Sequence, residues 1–323
     1  MGTIQILMAT YNGDCYIEEQ INSIIRQQTQ DCCYELIFSD DGSTDQTIPL
    51  IEKYLSNYPG MLFYRKDNLD KANFRSGPCG NFSFALSQAT SEYVMFSDQD
   101  DVWETDKVEK TYSKMKELES QCDFDTPLLV FTDLKVVDHN LNTMSNSFFK
   151  YQSLSPDWSD KLSQLVVQNV APGCTMMVNR ALLDLASPIP REAIMHDWWL
   201  MLVAKAFGKI AYLDEPTILY RQHENNQVGA KSLKFSRLVK NFNKGCNNLF
   251  DASVQAKVFV ERYEAYLKET LDDYELDKIK CFSNFHHENY INNLSGFLKA
   301  KYRKNNVLRN LGLLAAIHRK VFR

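Results

Sequence analysis

Three short apolar runs in the first hundred residues each end in a polar turn carrying groups suited to a cation or a phosphate. Residues 3–9 lead into Thr10-Tyr11-Asn12-Gly13, residues 34–39 into Asp40-Asp41-Gly42-Ser43-Thr44-Asp45, and residues 92–97 into Asp98-Gln99-Asp100-Asp101-Val102-Trp103. Carboxylates gathered on one edge repel one another unless a cation or several hydrogen-bond donors hold them. A hard divalent metal that keeps waters and bridges phosphate oxygens fits such a supply of oxygen ligands. Tyr11 adds a ring on which a nucleobase could stack. Taken singly, each turn has a plainer reading. Asp-Asp-Gly-Ser makes an ordinary turn with a helix cap, and early acids suit the dipole of a helix over residues 104–120. Three such ends, in this order, argue for chemistry more strongly than any one of them.

Positioning them requires strands whose carboxyl ends lie side by side, the place where parallel α/β sheets bind ligands. The pattern supplies these elements. Between the apolar runs, residues 14–28 carry Ile17, Ile21, Ile24 and Ile25 at helical spacing. A second helix opens near Asp45 with Ser43 or Thr44 as its cap and Pro49 in its first turn. Residues 61–64 read as a third strand, 81–89 as a third helix and 92–97 as a fourth strand. This βαβαβαβ order predicts a mostly parallel sheet covered on both faces. Further strands are expected at 128–137, 174–178, 209–214 and 216–222, the last two meeting around Glu215-Pro216, with a helix over 196–207. From about residue 233 onward the patterns are helical only. The expected plan is an α/β domain over residues 1–230 and a helical extension over 231–323.

The 323 residues are 44% hydrophobic and 24% charged, ordinary for a globular protein, and the net charge of −5 gives no reason to expect a nucleic-acid partner. Charge is unevenly spread. No acid follows Glu288, whereas Lys299, Lys301, Arg303, Lys304, Arg309, Arg319, Lys320 and Arg323 are basic. Within this tail residues 307–323 place Leu308, Leu311, Leu314 and Ala315 at helical spacing. An acidic body with such a tail suits peripheral contact with an anionic membrane; docking onto the protein or a homodimer contact would leave the same pattern. Eight cysteines without C-x-x-C spacing offer no zinc site, no run of 18 apolar residues spans a bilayer, and the N-terminus reads as a strand. A cytoplasmic location is the resulting expectation. His286-His287-Glu288 is read as structural, because adjacent positions on a helix face different ways.

The stretches MATYNGDCYIEEQINSIIRQQ, FSDDGSTDQT, GPCGNFSFAL, YVMFSDQDDVW, PGCTMMVNRALL, MHDWW and LYRQHENNQVG, spread over roughly residues 3–229, resemble family 2 glycosyltransferases of the GT-A (nucleotide-diphospho-sugar transferase) fold, in the bacterial rhamnosyltransferase-like subgroup. The resemblance implies roles residue by residue. Thr10 and Tyr11 would hold the nucleobase, with Asp40 on its imide edge. Gly77 and Asn81 would belong to the loop over the nucleoside, with Arg75 beside it. Asp98-Gln99-Asp100 matches the Asp-x-Asp motif: Asp98 at the ribose or metal-bound waters, Asp100 on Mg²⁺ or Mn²⁺, Asp101 an auxiliary ligand. His223 would be a further metal ligand and Arg221 a partner of the leaving diphosphate. Asp197 matches the general base, with Trp198 and Trp199 as a wall for the acceptor sugar.

Asp197 suits that role chemically, because an alcohol is a poor nucleophile until a carboxylate opposite the leaving group takes its proton. The same geometry predicts inversion at the anomeric carbon. The implied activity is transfer from a nucleoside diphosphate sugar, dTDP-L-rhamnose first and UDP-hexoses next, to a lipid-linked glycan of a bacterial surface polysaccharide such as O-antigen or capsule. Two other readings predict different residues. A nucleotidyltransferase would carry a glycine-rich basic loop where this chain has Thr10-Tyr11-Asn12-Gly13-Asp14. A non-catalytic binding subunit would not need every one of the acids found here.

Overall fold

The computed structural model describes residues 2–58, 60–66, 74–223, 242–285, 304, 305 and 310. The polar run 224–229, the boundary near 230, His286-His287-Glu288 and the basic tail other than Lys304 lie outside the described residues, as does all but residue 310 of the 307–323 segment. No helix among the described residues is long and apolar enough to cross a membrane.

The first half follows the expected alternation: β1 (Gly2–Thr10), α1 (Ile17–Ile25), β2 (Cys32–Asp40), α2 (Thr47–Asn57), β3 (Met61–Arg65), α3 (Pro78–Gln88) and β4 (Tyr93–Ser97). Then come β5 (Val102–Trp103), α4 (Lys107–Glu119), β6 (Leu128–Val137), β7 (Thr143–Ser145), α5 (Phe148–Gln152), α6 (Leu162–Leu165), β8 (Met176–Asn179), α7 (Arg180–Ala186), α8 (His196–Phe207) and β9 (Lys209–Arg221). Two helices follow, α9 (Phe242–Thr270) and α10 (Asp273–Ser283).

The strands form one sheet in the order β3-β2-β1-β4-β8-β6-β9-β5, with β7 on β6. β1, β2, β3 and β4 pair in parallel. β8 then runs antiparallel to both β4 and β6, so the sheet is mixed rather than mostly parallel. The two strands expected at 209–214 and 216–222 are one strand, β9, whose register on β6 slips beside Asp133 and Pro216. A proline lacks the ladder N–H, and a slip accommodates it without ending the strand.

Alternation along the strands builds two cores. Ile4, Ile6 and Met8 of β1 face Ile17, Ile21 and Ile24 of α1 with Val108 and Met115 of α4. On the other face Leu7, Val94 and Phe96 meet α3, α7, α8 and the helices α9 and α10. The described part of the helical extension therefore shares a core with the α/β body. Because β2 lies on one side of β1 and β4 on the other, the carboxyl ends of β1 and β4 diverge and leave a crevice between their following loops.

Candidate functional site

That crevice is a cleft of about 1150 Å³, lined among others by Thr10, Tyr11, Asp41, Lys66, Asp98 and Asp100. At one end is the loop after β2. Asp40 is fully buried, and its carboxylate accepts from the N–H groups of Gly42 (2.9 Å) and Ser43 (2.8 Å) and from the hydroxyls of Ser43 and Thr10 (2.9 Å). Those four bonds fill its acceptor capacity and shape the turn, so the nucleobase role expected of Asp40 does not fit its position. The acid that faces the cleft is Asp41, which pairs with Lys66 Nζ (2.9 Å) and accepts from Gly77 N–H (3.1 Å). Ser43 is spent on Asp40, so α2 starts later than expected, at Thr47, where Asp45 accepts from the Thr47 N–H (2.9 Å).

Gly77 lines the cleft at φ 81°, a conformation that a side chain would strain, and Pro78 opens α3 behind it. Asn81 reaches the cleft wall but mainly clips two strand ends together: its amide donates to Ser39 O (2.8 Å) and Thr10 O (3.2 Å) and accepts from the Ser39 hydroxyl (2.6 Å). Arg75 donates to Ala193 O (2.7 Å), tying the loop before α3 to the one before α8. Tyr11 stands at the mouth, 54% exposed.

The acidic end lies after β4. Asp98 and Asp100 line the cleft together with His223, whose Nε2 sits 2.8 Å from Asp100 Oδ2 and whose ring packs on Tyr16. Burial, then the charges of Asp100 and Asp197, push the Asp98 carboxyl up to about 7. Asp101 is held further back and is raised more strongly by the same causes, burial first and then Asp100 and Asp98. Ligand atoms of Asp98, Asp101 and Cys174 lie within 4.8 Å of one another. Behind them Lys107 is fully buried, its ammonium 4.8 Å from the Trp103 ring, and desolvation pulls it down to about 8 against the opposing pull of Cys174 and Asp101.

Among the described residues only Asp98, Asp101 and Cys174 gather ligand atoms that closely; Asp98, Asp100 and His223 share the cleft as a looser set, joined by the 2.8 Å contact of Asp100 and His223. Cys174 is soft and its thiol is pushed far up by burial, and Asp101 already accepts the Arg221 N–H (3.0 Å). Asp98, Asp100 and His223 are the set that faces the cleft, and two carboxylates with an imidazole suit Mn²⁺ or Mg²⁺ better than a set that includes a protonated thiol. Burial raises Asp98 and Asp101 most, and neighbouring acids add to the rise, a charge that a bound cation would relieve.

Arg221, expected to partner the leaving diphosphate, does not line the cleft. It is buried, its guanidinium donates to Asp100 O (2.8 Å), His139 O (2.8 Å) and the Glu19 carboxylate, and it stacks over Tyr16 at 4.5 Å. Its work is to hold the backbone of the acidic loop.

Asp197 opens α8. Its carboxylate accepts from the N–H groups of Gly173 (3.0 Å) and Trp198, and burial pushes it up to about 7 against those two bonds. It does not line the cleft itself; its charge adds, after burial and Asp100, to the rise at Asp98. The tryptophans after it form no acceptor wall. Trp198 is buried and donates to Leu165 O (2.6 Å). Trp199 is fully buried, donates to Ala186 O (3.0 Å) and meets Phe259 edge-on at 5.7 Å. Both belong to the core because α8 is apolar on every side and is wrapped by α7 and α9. Trp199→Ala is expected to cost about 3–5 kcal/mol in urea unfolding, by leaving a cavity between α8 and α9.

Compared with known proteins, the family model described as Glycosyl transferase family 2 matches residues 5–183. The chain is 32% identical over 250 residues to the dTDP-rhamnosyl transferase RfbG of Shigella flexneri, covering 72% of this chain and 78% of that one. Among solved structures, S. aureus TarS 1-349 in complex with UDP-GlcNAc matches with a TM-score of 0.55 at 17% identity, over 98% of this chain and 92% of that one. The mannosyltransferase PcManGT of Pyrobaculum calidifontis, in complex with GDP-Man and Mn2+, matches with a TM-score of 0.50 at 16% identity, over 99% and 80%.

Proposed function

Because the chain belongs to glycosyl transferase family 2 and is thereby a glycosyltransferase of the GT-A fold, we propose that it moves a sugar from a nucleoside diphosphate sugar to a hydroxyl of a glycan, with inversion at the anomeric carbon. The observation that carries this reading is the convergence on one cleft of Tyr11, the Asp41–Lys66 pair and Asp98, Asp100 and His223. Tyr11 stacks on the base, and Asp41 accepts from its imide edge while Lys66 pairs with the same carboxylate and holds it in place. Asp98, Asp100 and His223 would hold a divalent cation, Mg²⁺ or Mn²⁺, which would supply positive charge beside the leaving diphosphate. Asp197 takes the acceptor proton as the new carbon–oxygen bond forms and the bond to the phosphate oxygen breaks. A carboxylate poised near 7 is matched to that task at neutral pH.

The likeness to a dTDP-rhamnosyl transferase supports dTDP-L-rhamnose as the first donor to try, with UDP-hexoses next. A lipid-linked glycan of a bacterial surface polysaccharide is the proposed acceptor class. The basic tail would then meet the inner face of the cytoplasmic membrane or a second subunit. Thermal unfolding with a panel of nucleotides and nucleotide sugars, in Mn²⁺, Mg²⁺ or EDTA, tests the donor site. Ligand that binds the native state raises the melting temperature, by ~2.7 kcal/mol of stabilisation at a hundredfold excess over Kd. The expected result is a shift with dTDP or UDP species that needs the metal. Folded protein that shifts with none of them would contradict the assignment.

A further inference from the structure

The three polar turns are joined to one another by side chains that the proposed chemistry does not use. Gln99, the middle residue of the Asp98–Asp100 triplet, makes a two-point pairing with the backbone of Tyr11. Its Oε1 accepts the Tyr11 N–H (2.8 Å) and its Nε2 donates to the Tyr11 C=O (3.0 Å). On the other side Asn12 donates its N–H to Ser43 Oγ (2.9 Å) and accepts the Thr44 N–H at its side-chain oxygen (2.8 Å), with its own backbone at φ 47°. The turn after β1 is therefore held from both flanks, by Asn12 to the loop after β2 and by Gln99 to the loop after β4. The two peptide units that flank Tyr11 are each held, one at its N–H and the other at its C=O, which restrains rotation about the Tyr11 Cα and fixes the direction in which the side chain leaves the backbone.

Gly13 completes the arrangement. A Cβ at that position would lie 2.4 Å from both Cδ and Oε1 of Gln99 and 2.8 Å from its Nε2. Glycine is there to make room for the amide, because the nearest obstacle is the Gln99 side chain. Alanine at 13 should thus displace the Gln99 amide without touching either ligand loop.

We infer that Gln99 is a positioning residue that locks the Tyr11 turn to the Asp98–Asp100 loop, so that the base platform and the acids meet a nucleoside diphosphate at a preset separation. The inference rests on the cleft being the donor-nucleotide site. Preset geometry spares the ligand the cost of ordering the turn. Losing two neutral hydrogen bonds of this kind should weaken nucleotide binding about tenfold.

The test is calorimetric titration of dTDP and UDP in Mn²⁺ into the native chain, Gln99→Met, Gln99→Ala, Gly13→Ala and Gly13→Ala/Gln99→Ala, each with its melting temperature. Methionine keeps the length of the side chain and removes both bonds, so a role in packing alone predicts native affinity for it. The lock predicts about tenfold weaker binding for Gln99→Met and for Gly13→Ala in protein that still folds cooperatively, with a melting temperature only modestly lowered. It also predicts that Gly13→Ala costs nothing further once Gln99 is alanine. Native affinity in Gln99→Met, or a Gly13→Ala loss that persists undiminished in the double variant, would overturn the lock while leaving the donor site in place. A native chain that binds neither nucleotide would overturn the donor site itself, and the lock with it. If one Gln99 variant does not fold, the other and Gly13→Ala still decide.

Discussion

Replacing Asp197 by Asn is expected to lower kcat by about 10²–10⁴-fold at pH 8, with donor KM close to native, because the variant keeps the site and loses only the proton acceptor. The native rate should rise with pH and reach half its plateau near pH 7, where burial has placed this carboxyl. The stability consequence runs the other way. A carboxyl whose folded-state pKa lies above its unfolded value binds more protons when folded. It therefore destabilises the fold as pH rises from the unfolded value through the folded one. Native protein should thus lose stability relative to Asp197→Asn by about 2–3 kcal/mol between pH 5 and pH 8. A variant slower but more stable at pH 8 is the signature of a buried base kept for chemistry. A variant that is both fast and destabilised would make Asp197 a helix-terminus residue and nothing more, with its Gly173 and Trp198 bonds as its whole role.

Replacing Asp100 by Ala should cost about 10²–10³ in kcat/KM, the several kcal/mol that a metal contributes to a departing diphosphate. It should also abolish the dependence of nucleotide binding on Mn²⁺. The same change frees His223 of the carboxylate 2.8 Å from its Nε2 and removes the charge that, after burial, most raises Asp98. Asp98 should in consequence titrate lower in the variant, which carbon-detected carboxyl NMR would read directly. A variant that still needs Mn²⁺ would move the metal to Asp98, Asp101 and Cys174, whose ligand atoms lie within 4.8 Å of one another.

The sequence was most legible where local pattern and strand order coincide. Short apolar runs in β1, β2 and β4 placed their strands, and the polar residues directly after them had to emerge at the sheet edge. The antiparallel half was less legible: β5 and β7 are only 2 and 3 residues long, and the slip near Pro216 looks like a break when read along one strand. Site residues were harder still, because type and motif position do not say which way a side chain points. Asp40 and Asp41 are neighbours, yet one closes the turn with four internal bonds and the other faces the cleft with Lys66. Lys66 follows β3 directly, so the strand-end argument that found the other turns could have found it too.

Arg221, Trp198 and Trp199 carry the opposite lesson. Each has a chemistry that suits a sugar or a phosphate, and each is consumed by the fold. Arg221 braces the Asp100 backbone, and the two tryptophans fill the seam under α8. The apolar surround of α8 was visible in its composition and argued for core. Lys107 was legible in a weaker way, as a lysine on the same helix face as Thr111, Tyr112 and Met115 in α4, where only a buried counter-charge to the acids behind the cleft gives it a reason.

The measurement that reaches the centre of this account is calorimetric titration of Asp197→Asn and Asp100→Ala with dTDP and UDP sugars, in Mn²⁺ and in EDTA. The account predicts that Asp197→Asn binds a donor as the native chain does, only with metal present, and that Asp100→Ala shows no metal-dependent binding. Donor binding that is indifferent to Mn²⁺ in the native chain, or that disappears with Asp197 and survives without Asp100, would contradict it.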